Sequence, residues 1–145
     1  MSLRDPLAKM SKSDPQPQSR ILLTDSPPEI AEKVKKAVTD SIDGISFDPQ
    51  NRPGLSNLLQ IYGYMQRRRD FDNIARELGG CGKKVFKERV ADCVVEGLKH
   101  VRDEYARIVN EGDGYLEMVA EQGARRARDS AEETMLLVRK AMGLI

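Results

Sequence analysis

The sequence predicts a mainly α-helical protein, a bundle of four to five helices that follows an extended loop. Apolar residues recur at helical spacing from about residue 30 to the C-terminus. Charged residues make up 32% of the chain and aromatic residues 5%, with no tryptophan, which suits long surface-exposed helices. No strands alternate with helices in the pattern, so no parallel nucleotide-binding sheet is predicted. The 145 residues are enough for one domain with its own core.

The first twenty residues are predicted to form an extended loop, because they hold three prolines and no apolar periodicity. The stretch "RILL" at residues 20–23 fits either a short strand or an extended lead-in to the first helix. We therefore divide the chain into a loop segment, residues 1–20, and an α-helical domain, residues 21–145.

The first helix is predicted from a strong start signal in "TDSPPEI". Ser26 is a good N-cap, Pro27 suits the first helical position, and Glu29 completes a capping box. The apolar positions that follow at helical spacing are Ile30, Val34, Ala37 and Val38. The helix is predicted to end near Asp40.

Two shorter helices are predicted next, separated by helix-breaking residues. After the turn-rich "SFDPQNRPG", the second helix has one apolar face, formed by Leu55, Leu58, Leu59 and Tyr62. The run "RRRD" interrupts it. Asp70 is then predicted to cap a third helix, which Gly79 and Gly80 end.

Two long helices are predicted at residues 83–110 and 115–142. The turn "EGDG" between them favours an antiparallel return of the second helix. Small residues fill the middle of the last helix and predict close packing against a neighbouring helix; they are Gly123, Ala124, Ala127 and Ala131.

Charge and cysteine content exclude several classes of function. The net charge is +1, so bulk electrostatic binding of nucleic acid is not expected, and DNA is not a predicted partner. No apolar run reaches the ~18 residues of a membrane span, so no membrane partner is expected either. Cys81 and Cys93 are predicted to be reduced, half-buried thiols, and His100 a histidine at the edge of an apolar stripe. One histidine and no CxxC pair predict no metal site.

The stretch "AKMSKSDPQP" is the strongest candidate for chemistry. Lys9 and Lys12 are flexible point charges suited to phosphate, and Ser11 and Ser13 add hydroxyl donors. Such a loop can neutralise charge that develops on a leaving pyrophosphate. The alternative is an ordinary solvated polar loop. The stretch lacks the glycines of a phosphate-binding P-loop.

Several blocks together resemble a known family. "KMSKSDP" resembles the second signature of class I aminoacyl-tRNA synthetases. It is followed by "SRILLTDSPPEIAEKVKKAVTDS", then "FDPQNRPGLSNLLQIY", then a terminal "AMGL". In this order the blocks resemble the C-terminal part of the tryptophanyl-tRNA synthetases of bacterial and mitochondrial type.

The resemblance implies an activity and roles for the signature residues. The family condenses tryptophan with ATP to tryptophanyl-adenylate and pyrophosphate, and then transfers tryptophan to tRNA(Trp). By resemblance, Lys12 holds the pyrophosphate in the transition state, Lys9 supports the same charge, and Met10, Ser11 and Ser13 belong to the ATP-binding loop. The implied cofactor is ATP with Mg²⁺ carried by the nucleotide, and the full-length enzyme is expected to be a homodimer.

The resemblance also implies that the helices bind the anticodon arm of tRNA. Two arginine clusters are candidates, Arg67, Arg68 and Arg69 after the second helix, and Arg125, Arg126 and Arg128 on the last. The alternative is solvated charge, in which the second cluster pairs with nearby acidic residues, namely Glu121, Asp129, Glu132 and Glu133.

One departure from the family is large. The Rossmann catalytic domain, which precedes the signature loop in the family, is absent from this chain, so we expect the chain alone to be inactive. A second hypothesis is a non-catalytic helical RNA-binding or regulatory module from the same gene. An unrelated bundle would need all the blocks to match by chance. The expected location is the mitochondrial matrix, with the bacterial cytoplasm as the alternative.

Overall fold

The described regular structure is helical throughout, as predicted. The computed structural model describes residues 1–110, 112 and 114–145, and no β-strand occurs among them. The five α-helices are α1 (Pro27–Lys35), α2 (Pro53–Met65), α3 (Phe71–Glu77), α4 (Lys83–Asn110) and α5 (Tyr115–Ala141). A short 3₁₀ turn covers Pro17–Ser19. Residues 20–23 form no strand, so the extended lead-in is the correct alternative.

The predicted start of α1 is confirmed, but its predicted end is wrong. The backbone N–H of Ser26 donates to Glu29 Oε2 at 2.7 Å, which is half of the capping box. The helix ends at Lys35, about five residues before the predicted end near Asp40. The reason is tertiary, since the N–H of Val38 donates to the carbonyl oxygen of Leu3 at 2.8 Å instead of continuing the helix.

The chain divides into two compact units, Met1–Arg102 and Asp103–Ile145, and α4 runs through the boundary. All the buried apolar residues described lie in the first unit, between Leu3 and Val94. Phe86 is fully buried and meets Tyr62 edge to face, with ring centroids 6.3 Å apart. Helices α2 and α3 pack at Gly63, where an added Cβ would lie 2.9 Å from the ring of Phe71.

The N-terminal segment is part of this core, which the prediction of an extended loop missed. Leu3 is 1% exposed, and its N–H donates to the carbonyl oxygen of Ser19 at 2.8 Å. The segment around Val38 presses on α2 so closely that a Cβ on Gly54 would lie 2.2 Å from the Val38 oxygen. The segment is therefore anchored to the helical core at Leu3 and Met10, while most of its other side chains remain exposed.

The second unit, Asp103–Ile145, has no buried side chain among its described residues. The predicted close packing of the small-residue run on α5 is not seen among the described residues: apart from the helix's own backbone, none of their atoms lies within 4 Å of a Cβ placed on Gly123. Helix α5 thus contributes no buried residue to the predicted bundle. The predicted turn "EGDG" includes Glu111 and Asp113, which lie outside the described residues.

Candidate functional site

The candidate site is the signature segment, residues 9–13, which is anchored by hydrogen bonds on both sides. On the N-terminal side, the carbonyl oxygen of Ala8 accepts the Ser2 N–H at 2.8 Å, and the Ala8 N–H donates to Asp5 at 3.0 Å. On the C-terminal side, Arg20 Nη1 donates to the carbonyl oxygen of Asp14 at 2.8 Å. The fold therefore fixes both ends of a five-residue loop.

Within the segment, one side chain faces the protein and two cations face solvent. Met10 is partly buried against the hydrophobic core. The hydroxyls of Ser11 and Ser13 lie 2.9 Å apart and hydrogen-bond to each other. Lys9 and Lys12 are exposed, and neither makes a hydrogen bond or ion pair with the part of the chain that the structure describes. Both ammonium groups are therefore available to an anion.

Asp14 places a negative charge at the end of this segment. Its Oδ1 accepts the backbone N–H of Gln16 at 2.8 Å, the geometry of an Asx turn. This hydrogen bond, together with the nearby charge of Arg20, lowers the pKa of Asp14. Neither Asp14 nor Arg20 was singled out from the sequence, although the "SDPQ" pattern is typical of such a turn.

The first arginine cluster consists of one structural arginine and two free ones. Arg68 donates two hydrogen bonds to the Asp70 carboxylate, at 3.0 and 2.7 Å, and two to Glu77, both at 2.8 Å. The bonds with Glu77 and Asp70 raise the pKa of Arg68, and the bond from Arg68 lowers the pKa of Asp70 to about 2. Arg67, at a left-handed φ of 58°, and Arg69 are exposed and unpaired in the described structure.

The ion pairs of Arg68 with Asp70 and Glu77, which we call the surface clamp, also change the role predicted for Asp70. The residue occupies the N-cap position of α3, as predicted, but its side chain makes no cap hydrogen bond. The carboxylate binds Arg68 instead, which ties the end of α2 to α3.

The second arginine cluster, on α5, is solvent-exposed. Arg125, Arg126 and Arg128 make no ion pair with any residue that the structure describes. The alternative of solvated charge offered pairs with Glu121, Asp129, Glu132 and Glu133, and none of these is formed among the described residues. All three guanidinium groups remain open to an external partner.

One further cationic region was missed at the sequence level. A groove of about 890 Å³ between α1 and α4 is lined by five lysines, Lys35, Lys36, Lys83, Lys84 and Lys87, which we call the lysine groove. The signal was present as "KVKK" and "KKVFK", but the two stretches are nearly fifty residues apart in the sequence. Only the fold brings them together.

The remaining titratable candidates are two cysteines and one histidine. Cys81 and Cys93 are half-buried free thiols, as predicted, and burial raises the pKa of Cys93. His100 is exposed on α4. The described residues contain no group of three or more side chains that could hold a metal ion. None of the described helices has the length and hydropathy to cross a membrane.

Comparison with known families supports the resemblance seen in the sequence. The family model described as class I tRNA synthetases (W and Y) matches residues 1–101. The chain is 39% identical over 144 residues to a tryptophan–tRNA ligase of Bacillus subtilis and 43% identical over 149 residues to one of Wolinella succinogenes. It is 40% identical over 145 residues to the mitochondrial tryptophan–tRNA ligase of Saccharomyces cerevisiae.

These matches cover nearly all of this chain but less than half of each relative. They extend over 99–100% of the chain, and over 43% of the two bacterial relatives and 38% of the yeast one. The crystal structure of a tryptophanyl-tRNA synthetase from Mycoplasma pneumoniae matches the fold with a TM-score of 0.66 at 23% identity. That match covers 99% of this chain and 44% of the solved chain. The chain therefore spans about two-fifths of the length of its relatives.

Proposed function

The chain belongs to the class I tRNA synthetases of the W and Y family, and we propose that it is the C-terminal part of a tryptophan–tRNA ligase. The reaction of the whole enzyme joins tryptophan to tRNA(Trp), with cleavage of ATP to AMP and pyrophosphate. This part supplies the loop that closes on the ATP phosphates and the helices that bind tRNA.

The observation that carries the proposal is a pair of unpaired lysines on a loop fixed at both ends. Lys9 and Lys12 are exposed and free of ion pairs among the described residues, while Ala8 and Asp14 hold the ends of their segment. Charge builds on the pyrophosphate as its bond to the α-phosphorus breaks, and a positioned cation stabilises that charge. Lys12 holds the pyrophosphate, Lys9 adds a second positive charge, and the packing of Met10 orients the loop.

Magnesium enters this site with the nucleotide rather than as a resident metal. Mg²⁺ keeps most of its waters and binds through substrate phosphates in many nucleotide sites. The described part of the chain offers no cluster of acidic, cysteine or histidine side chains to hold it. In the proposal, ATP carrying its own Mg²⁺ is the ligand that the two lysines meet.

The helical region binds the tRNA in this proposal. Arg67 and Arg69 are the free members of the first arginine cluster, and Arg125, Arg126 and Arg128 are all exposed on α5. Arginine binds phosphate through a planar fork and stacks on unpaired bases. Because Arg68 is held by Asp70 and Glu77, its part is to shape the corner from which Arg67 and Arg69 extend.

The chain by itself is not expected to make the adenylate, because the signature loop needs the catalytic part of the enzyme to close on. A homodimer of the whole enzyme remains a prediction. So does the cellular location, since both bacterial and mitochondrial relatives match.

A non-catalytic RNA-binding or regulatory module is the second candidate function. The observation that favours it is the buried apolar core within Met1–Arg102, which belongs entirely to this chain. A module of this kind would bind tRNA without any contribution from the signature lysines.

Tryptophan-dependent ATP–pyrophosphate exchange tests the first proposal. The assay is run on the chain alone and after addition of the separately expressed N-terminal part of the Bacillus subtilis relative. We expect exchange only in the mixture, reduced about 10²–10³-fold by Lys12→Ala, the cost of removing one transition-state stabilising group. The matched control is Lys99→Ala, which removes an exposed lysine of α4, outside the signature segment. This variant should retain full exchange. Exchange equal to the parent's in the Lys12→Ala mixture would refute the role of the loop.

A folded chain that binds tRNA but never supports exchange would instead favour the non-catalytic module. Circular dichroism of each variant shows that the helices are intact, so a loss of exchange reports on the loop.

A further inference from the structure

The lysine groove has no role in the function proposed so far. Its walls come from residues 28–36, along α1 and its C-cap, and from residues 83–92, the first three turns of α4, both within Met1–Arg102. Lys35 and Lys36 lie on the α1 side, and Lys83, Lys84 and Lys87 lie on the α4 side. The lining also includes three carboxylates, against the five lysines; they are Glu32, Glu88 and Asp92.

Three of the five lysines are used to build the groove. Lys87 Nζ donates to the carbonyl oxygen of Ala37 at 2.8 Å, and Lys83 Nζ donates to that of Asp40 at 2.7 Å. These bonds attach α4 to the segment that follows α1. Lys36 pairs with Glu32 at 2.5 Å, which neutralises one of the three carboxylates. Burial, and secondly the nearby charge of Lys83, lower the pKa of Lys87.

The other two lysines are free. Lys35 and Lys84 are exposed, and neither makes a side-chain hydrogen bond or ion pair with the described residues. They stand on opposite walls, one at the end of α1 and one in the first turn of α4. The N-terminal end of α4 carries a partial positive charge that also favours an anion there. An extended polyanion lying along the groove would contact both lysines.

We propose that the lysine groove binds the phosphate backbone of tRNA, with Lys35 and Lys84 making the phosphate contacts. The inference rests on the proposed function and adds a surface that neither arginine cluster includes. RNA phosphates suit the groove because lysine recognises them as point charges, without reading a base. The groove therefore positions the tRNA and does not select its sequence.

The test compares the parent chain with the double variant Lys35→Glu/Lys84→Glu in binding to a tRNA(Trp) transcript over a range of salt concentrations. Lys99→Glu is the control, because it reverses the charge of an exposed lysine on α4 that does not line the groove. We expect weaker binding and a slope of log K against log salt that is shallower by about 2, since each lysine neutralises one phosphate. The control should keep the parent slope. An unrelated tRNA should weaken in parallel, since phosphate contacts carry no sequence information.

Several results would overturn the inference. A double variant with the parent affinity and slope would do so, as would an equal loss in Lys99→Glu. If only Arg67→Ala/Arg69→Ala weakened binding, the groove inference would fail while tRNA binding by the helices would stand. If the parent bound no tRNA, the groove and the RNA part of the proposed function would both fail. The exchange assay would still report on the signature loop, so the two failures are distinguishable.

Discussion

The two units of the chain have similar apolar patterns but different environments. Phe86 and Val90 on α4 are 0% exposed, whereas Leu116 and Leu137 on α5 are 47% and 64% exposed. Both helices match their predicted bounds within a residue. Helical spacing of apolar residues therefore predicts the helix and its apolar face, but it does not say what covers that face.

The two units also differ in their buried polar contacts. In Met1–Arg102, Arg52 is 4% exposed and donates to Asp40, to Ser46 and to the carbonyl oxygens of Ile42 and Gly44. Lys83 reaches the same Asp40 carboxylate at 3.4 Å. A buried guanidinium with this many acceptors fixes the path of the chain between α1 and α2. The described residues of Asp103–Ile145 bury no charged side chain.

The largest contrast is expected from truncating one apolar side chain in each unit. Phe86→Ala should lower the free energy of unfolding by about 3–5 kcal/mol, because it leaves a cavity in a close-packed core. Leu137→Ala should change it by less than about 0.5 kcal/mol, since the side chain is already exposed. Urea denaturation followed by circular dichroism measures both. Equal losses in the two variants would mean that α5 is as tightly packed as the core.

Adding a methyl group to a glycine should have opposite effects in the two units. Gly54→Ala should cost about 1–3 kcal/mol, because the new Cβ would lie 2.2 Å from the backbone oxygen of Val38. Gly123→Ala should stabilise α5 by about 0.5–1 kcal/mol, because nothing lies near the new methyl and alanine favours the helix. Thermal melts measure the loss of stability in Gly54→Ala, and helix content measures the gain in Gly123→Ala. A loss of helix content in Gly123→Ala would show that this face of α5 is covered.

A smaller effect is expected from acid, through the buried polar network of the first unit. The hydrogen bond from Arg52 lowers the pKa of Asp40 from 3.8 to about 2. Because the folded-state pKa is the lower one, the stabilisation is present above the unfolded pKa and is lost as the pH falls from about 4 to about 2. Asp40→Asn should remove this part of the pH dependence, as measured by Tm at a series of pH values.

Asp70→Asn is the matched control for that titration. Its carboxylate also has a pKa of about 2 beside Arg68, but its side chain is 42% exposed, so solvent screens the interaction. The acid dependence of Tm should therefore change less than in Asp40→Asn. A larger change in Asp70→Asn would reassign the acid sensitivity to the surface clamp.

Local signals in the sequence predicted much of the helical structure. The capping box of α1, the position of Asp70 and the bounds of α4 depend on residues close together in the chain, which propensity and spacing describe well. The predicted end of α1 was wrong because the carbonyl oxygen of Leu3, more than thirty residues away in the sequence, accepts a hydrogen bond from the N–H of Val38. Burial of Leu3 was missed because no periodicity marks residues 1–20.

The candidate site was predictable only in part, for the same reason. "KMSKS" drew attention to Lys9 and Lys12 directly, because the chemistry lies in five consecutive residues. The three consecutive arginines looked equivalent, yet only the fold brings Glu77 to Arg68 and leaves Arg67 and Arg69 free. The lysine groove depends on the packing of distant helices, which no local pattern reveals.

The anchoring of the signature segment also affects the entropy of ligand binding. Fixing the backbone of one residue costs about 1–2 kcal/mol, so a fully free five-residue loop would lose on the order of 5–10 kcal/mol when a ligand immobilised it. Here the bonds at Ala8 and Asp14 and the packing of Met10 already restrict the segment before any nucleotide arrives. A larger share of the interaction energy with phosphate then remains as affinity, because a restrained segment has fewer backbone conformations to lose on binding.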